Sequence, residues 1–217
     1  MIQNPVPCRL LCSTCLATFP AEVMKTVGTG GWLESDLCYQ SHGTFPYPYL
    51  VAVCPCCHWG AYIRDFDKLA YLPRYGDSEI SRALRVHLHE QRILYPGSRK
   101  YQLTAVSYSR AGAPPAGVGD LHLRGVWCAR QEKNTEAEQA HLEAAVQWFE
   151  RAVAQHLSGF EQARLHYLLG ELNRRLERYE EAVRWFDGLG PGPAWLESWS
   201  KQMCTLARER DAAIQIL

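Results

Sequence analysis

The chain has 217 residues, 47% of them hydrophobic, enough for one large domain or two small ones with a real core, and too apolar for global disorder. Lys+Arg and Asp+Glu each number 23, so the formal net charge is zero and a strongly basic nucleic-acid binder is excluded. No run approaches the roughly 18 apolar residues of a membrane-spanning helix, so no membrane partner is expected.

The two halves differ in character. Residues 1–107 hold seven of the nine cysteines and many prolines and tyrosines. Arg9 followed by "LLCSTCLATFPA" imitates a secretion signal, but two prolines precede it and two cysteines interrupt it, so a cytoplasmic protein is expected. "GTGG" at 28–31 reads as a flexible turn. "YLVAVCPCC" predicts a strand feeding a tight turn, and "GAYIRDF" a returning strand. Ile80, Leu84, Leu88 and Ile93 predict a helix from Asp77 to about Leu94, on which His87 and His89 face different ways. "SRAGAPPAGVGD" carries Pro and Gly that break regular structure, so 109–119 is expected to be a linker or loop.

Residues 120–217 predict stacked helices. Leu142, Ala145, Val146, Phe149, Ala152 and Val153 form one apolar stripe; Leu165, Leu168, Leu169, Leu172 and Leu176 a second. Ala182, Val183 and Phe186 begin a third, which "GPGP" at 190–193 ends, and Trp195, Leu196, Trp199, Met203 and Leu206 form the last. "EAAVQWFERA" from Glu143 matches "EEAVRWFDGL" from Glu180, a repeat at the spacing of helix–turn–helix solenoid units. Gly170, Tyr179, Ala182 and Phe186 sit at tetratricopeptide-like intervals, and the first copy carries extra residues between Trp127 and Ala145. In "ELNRRLERYEE", Glu171 and Arg175 are spaced to pair along a solvated helix face.

The chemistry lies in the cysteines. Cys12 and Cys15, like Cys54 and Cys57, are separated by two residues, which lets both thiolates of one knuckle point at a common ion; two knuckles complete a tetrahedral four-sulfur shell. Zn2+ suits such a shell, in a closed structural role with no open position for substrate. An iron–sulfur cluster would use similar ligands, and a redox dithiol is the other use of such spacing. Cys38, Cys56 and His58 are possible extra ligands, Cys56 by a one-residue shift of register. Cys128 and Cys204 read as small core residues. No nucleophile elbow, phosphate-cradling loop or HExxH helix is present, so no catalytic residue is assigned and no enzyme is expected.

"CSTC", "DLC", "VAVCPCCHWGAYIRDF", "WCAR" and "GELNRRLERYEEAVRWF" together resemble a bacterial family catalogued as a domain of unknown function, over nearly the whole chain. His58 stands where the family has glycine after the knuckle, a position suited to positive φ. The resemblance implies zinc and tetratricopeptide-like helices, and no activity. The expected fold is α+β: a zinc-ribbon-like module over 1–107 and a tetratricopeptide-like helical module over 120–217. The expected function is a zinc-stabilised scaffold that binds an unknown protein partner through its helical surface. Nucleic-acid binding through the basic and tyrosine-rich segment 62–101 is the alternative, and thiol redox work the second.

Overall fold

The computed structural model describes residues 4–26, 28, 30–67, 95–155, 157 and 159–217. The expected helix over 77–94, with His87 and His89, lies outside the described residues.

Among the described residues, three two-stranded antiparallel sheets precede most of the helix. Strands β1 (Val6–Leu11) and β2 (Thr18–Val23) pair from Val6 opposite Val23 to Leu11 opposite Thr18. Strands β3 (Gly31–Leu33) and β4 (Tyr39–Ser41) form the second hairpin, and β5 (Val51–Val53) and β6 (Gly60–Tyr62) the third. A 3-10 turn spans Tyr47–Tyr49, and the short helix α1 (Ile63–Asp67) follows β6 without a break. Thus "LLCSTCLATFPA" is a strand–turn–strand.

Among the described residues six longer helices follow: α2 (Gly97–Arg110), α3 (Pro115–Gln131), α4 (Thr135–Val153), α5 (Gly159–Arg175), α6 (Tyr179–Asp187) and α7 (Ala194–Arg208). The expected linker over 109–119 shrinks to the turn 111–114. Pro115 falls in the first helical turn, where its missing N–H and fixed φ cost nothing, so the Pro-rich stretch starts α3 rather than breaking it.

Four of these helices end in the same way. After α3, the Asn134 amide bonds the Ala129 carbonyl and the Lys133 amide that of Arg130. The same two bonds recur around Gly112, Glu177 and Arg210. Each closes the helix with one left-handed residue, at φ 56° for Lys133, 59° for Glu177 and 59° for Arg210, and glycine takes the position only at Gly112.

The repeat has a simple packing basis. A side chain on Gly170 would reach within 2.5 Å of the Phe186 ring, and one on Gly119 within 2.5 Å of Phe149. Each aromatic ring therefore lies on the bare backbone of the helix before it. Phe149 and Phe186 match, but their glycines lie 30 and 16 positions upstream. The first hairpin, α3–α4, is the second, α5–α6, lengthened by one heptad on each arm. That keeps the pairing and accounts for the extra residues after Trp127.

The two halves interleave. The β3–β4 hairpin and its 34–38 turn enter the helical core, where Cys38, Leu37, Phe45 and Tyr47 join the cluster of Trp127, Leu142, Phe149 and Leu168. The Tyr47 and Trp127 rings meet edge-on at 4.6 Å. The C-terminal tail lies beside this turn: the Ser35 amide donates to the Gln215 carbonyl at 2.8 Å, and Leu217 to Leu33 at 2.8 Å. Both rest on α5. Glu171, fully buried, accepts from Ser35 Oγ at 2.6 Å and from Arg174 at 2.7 and 2.8 Å. Arg174, equally buried, also donates to the carbonyls of Asp211 and Ala213. The expected Glu171–Arg175 pair is absent: Glu171 pairs with Arg174, while Arg175 holds Glu138 at 2.5 Å and Asp36 at 3.5 Å. Burial by residues 33–38 and the tail turns this run into a core ion-pair network.

Candidate metal centre

Each CxxC pair occupies the bend between two antiparallel strands, and the two bends are built alike. In the first, the Leu16 amide donates to the Cys12 carbonyl and the Cys12 amide to Ala17, both at 2.9 Å. In the second, the His58 amide donates to Cys54 and the Cys54 amide to Trp59, again at 2.9 Å. Closing this turn requires a left-handed residue just after the second cysteine, and Leu16 and His58 supply it at φ 61° and 59°. The glycine of the resembled family fits that position for this reason.

The β5–β6 knuckle is fixed to α2. A side chain on Gly60 would meet the Thr104 backbone at 2.8 Å, and the Gly60 amide donates to Ser107 Oγ at 3.0 Å. The β1–β2 knuckle packs on the β5–β6 knuckle through Leu10, Phe19, Ala52, Ala61 and Phe66. Phe66 stands edge-on to Phe19 at 5.6 Å and to Trp59 at 5.1 Å.

Cys12, Cys15, Cys54 and Cys57 converge, with all four sulfurs within 4.8 Å of one another. The close contacts run between knuckles: Cys12 to Cys57 and Cys15 to Cys54, each 3.6 Å. A tetrahedral ion with bonds near 2.3 Å sets its sulfurs about 3.8 Å apart, so the group can hold such an ion with little movement. Cys12 and Cys54 are fully buried, and Cys15 and Cys57 are partly exposed.

Backbone amides feed the sulfurs in matching fashion. Burial pushes the Cys15 thiol up, but the Ala17 amide and the thiols of Cys54, Cys57 and Cys12 outweigh it and bring it down to about 7. Burial raises Cys57 to about 11 against the Trp59 amide, with Cys12 and Cys15 adding to the rise. Burial drives Cys54 well above the ordinary thiol range, opposed by the amides of Cys57 and Cys56. A cation bound among them would reverse these upward shifts by favouring the thiolates.

The structure does not bring Cys38, Cys56 or His58 into this group. Cys56 is exposed, and its thiol is raised chiefly by Cys15 beside it. His58 turns outward, with Nδ1 at 2.6 Å from the Tyr95 hydroxyl. Both follow from the turn geometry, which puts the fourth residue of C-P-C-C inward and its neighbours outward. Cys38 lies in the helical core beside Glu34 and Asp36. That second cluster is neutralised by Arg130, 2.6 Å from Glu34 and 2.8 Å from Asp36, so its carboxylates are committed to guanidinium. Burial, then Asp36, drives the Cys38 thiol far above the ordinary range. Cys128 and Cys204 are buried in the core.

Sequence reasoning paired the two knuckles but did not find the β1–β2 hairpin or the backbone bonds that the two bends share. The available signal was the pair of residues after each CxxC, Leu16–Ala17 and His58–Trp59, which perform the same bonds. A family model described as an uncharacterised protein conserved in bacteria (DUF2225) matches residues 8–214. No curated protein and no solved structure matches the chain.

Proposed function

The chain belongs to this family of uncharacterised bacterial proteins (DUF2225), and from that premise we propose that it is a zinc-stapled, non-enzymatic scaffold that binds a protein partner in the cytoplasm. The observation that carries the metal half is the closed four-thiol group, assembled from two like knuckles and sealed by a small apolar core. Four cysteine sulfurs in this arrangement favour Zn2+ and leave no position for substrate. The close sulfur contacts run between knuckles rather than within a CxxC, which favours a shared ion over a redox dithiol.

The partner-binding half is supported by the helical hairpins. Their inner face is already covered by residues 33–47 and the tail, so the partner would meet the outer face. There Phe160 and Trp195 are 47% and 42% exposed, and the Trp195 ring meets the Trp199 ring at a tilt, 4.6 Å between centroids. Nucleic-acid binding depended on segment 62–101, of which 68–94 lie outside the described residues.

Metal analysis of the purified protein tests the first half. The expected result is one zinc per chain, lost in Cys12→Ser and in Cys57→Ser together with the stability of the knuckle region. Full zinc in both variants overturns the assignment. Crosslinking in the native cell tests the second half; a partner bound by wild type and lost in Trp195→Ala is expected, and an undiminished complex counts against the outer face.

A further inference from the structure

A cavity of about 550 Å³ opens between the β6–α1 corner and the start of α3, well inside the range of roughly 300–1,000 Å³ typical of small-molecule sites. It is separate from the cysteine group, and neither the metal nor the scaffold proposal uses it. Leu50, Ile63 and Pro114 give it apolar walls, Tyr62 and Tyr108 aromatic ones, and Arg64 and Arg124 its positive charge.

The two arginines are unusual in their placement. Both guanidiniums lie over the same Tyr62 ring, Arg64 at 5.1 Å and Arg124 at 5.4 Å from its centroid. Arg124 also donates to the Tyr62 hydroxyl at 2.9 Å. Neither forms a salt bridge among the described residues, whereas Arg130, Arg164, Arg174 and Arg175 all do. Asp120 is in the lining, but Arg164 holds it at 3.2 Å. Asp65 nearby accepts the Tyr108 hydroxyl. Two like charges gathered on one ring repel, and a concave, partly apolar wall strengthens their field.

The cavity also meets the first turn of α3 at Pro114 and Gly117. That turn has no side-chain cap and no acidic residue; its Gly117 and Val118 amides donate to the Pro114 carbonyl, and the positive end of the helix dipole adds to the field.

We propose that this cavity binds a small organic phosphate: the phosphoryl group between Arg64 and Arg124, where guanidinium forks match its oxygens, and the organic part against Leu50, Ile63 and Pro114. The full-length, metal-loaded protein titrated with phenyl phosphate, inorganic phosphate and benzoate at low ionic strength tests this. Phenyl phosphate is expected to bind saturably, more tightly than inorganic phosphate, which lacks the apolar part, and than benzoate, which has fewer acceptor oxygens. Arg64→Gln should weaken it about tenfold, the loss of one charge-assisted contact. Arg64 is exposed and makes no hydrogen bond among the described residues, so this variant keeps the fold if Arg124→Gln does not. Asp120→Asn should tighten binding, whereas a cation site would be weakened by it. Absence of saturable binding in wild type, an Arg64→Gln affinity equal to wild type, or benzoate binding as well as phenyl phosphate overturns the proposal.

Discussion

His122 and His141 show what single residues contribute. Their Nδ1 atoms are 3.1 Å apart, and His141 Nε2 lies 3.1 Å from the Ser98 carbonyl. A carbonyl only accepts, so His141 carries its proton on Nε2, and its bare Nδ1 accepts from His122 Nδ1–H. Burial, then the neighbouring His141, lowers His122 from 6.5 to about 4; burial lowers His141 as well, against the Ser98 carbonyl and Glu132. Above pH 6.5 both rings are neutral folded or unfolded, and the full stability is present. As pH falls from 6.5 toward 4, only the unfolded chain takes up the His122 proton, so stability is lost, by roughly 3 kcal/mol when fully developed. Denaturation against pH should show this slope in wild type and a shallower one in His122→Leu, the comparison separating it from acid release of metal. Among the cysteines, Cys38→Ala and Cys56→Ser should keep the full metal content that Cys12→Ser loses, since neither thiol is in the group.

At the level of elements, the hairpins are set by the contact of a ring with bare backbone. Gly170→Ala forces a methyl to 2.5 Å from Phe186 and should cost about 1–3 kcal/mol, read by chemical denaturation, with part recovered by adding Phe186→Leu. Much of this level was legible in the sequence: the stripes from Leu142, Leu165, Ala182 and Trp195 each became a helix, and the CxxC spacing marked two bends whose sulfurs meet. What escaped was whatever depended on distant partners. Glu171 and Arg174 look like solvated helix charges until Ser35 and Asp211 are laid on them, and no local pattern carries that information. Pro114 and Pro115 look like a break, because helix-starting and helix-breaking prolines differ only in position. Cys38 resembled a further ligand because the spacing of thiols says nothing of the chain path between them.

For the whole molecule, the decisive contact is the buried Glu171–Arg174 pair, which joins α5 to the 34–38 turn and the tail. Removing one partner leaves the other charge buried and uncompensated. Glu171→Ala should therefore destabilise by about 3–5 kcal/mol, while Glu171→Leu with Arg174→Met should cost far less than the sum of the single changes. Both are measurable by denaturant midpoints, and a double-variant loss equal to the sum of the single losses would remove the pair from this central role.

The same interleaving has a consequence for the order in which the protein is made. Ser35 bonds Glu171, 136 positions later, and Gln215, 180 positions later. At about 5–20 residues per second, a ribosome needs roughly ten to forty seconds to deliver those partners. Both cysteine knuckles are complete once Tyr62 has emerged, so a metal ion captured then would hold the ends of the 16–53 loop together while its apolar interior, Leu37, Phe45 and Tyr47, waits for the helices that will cover it.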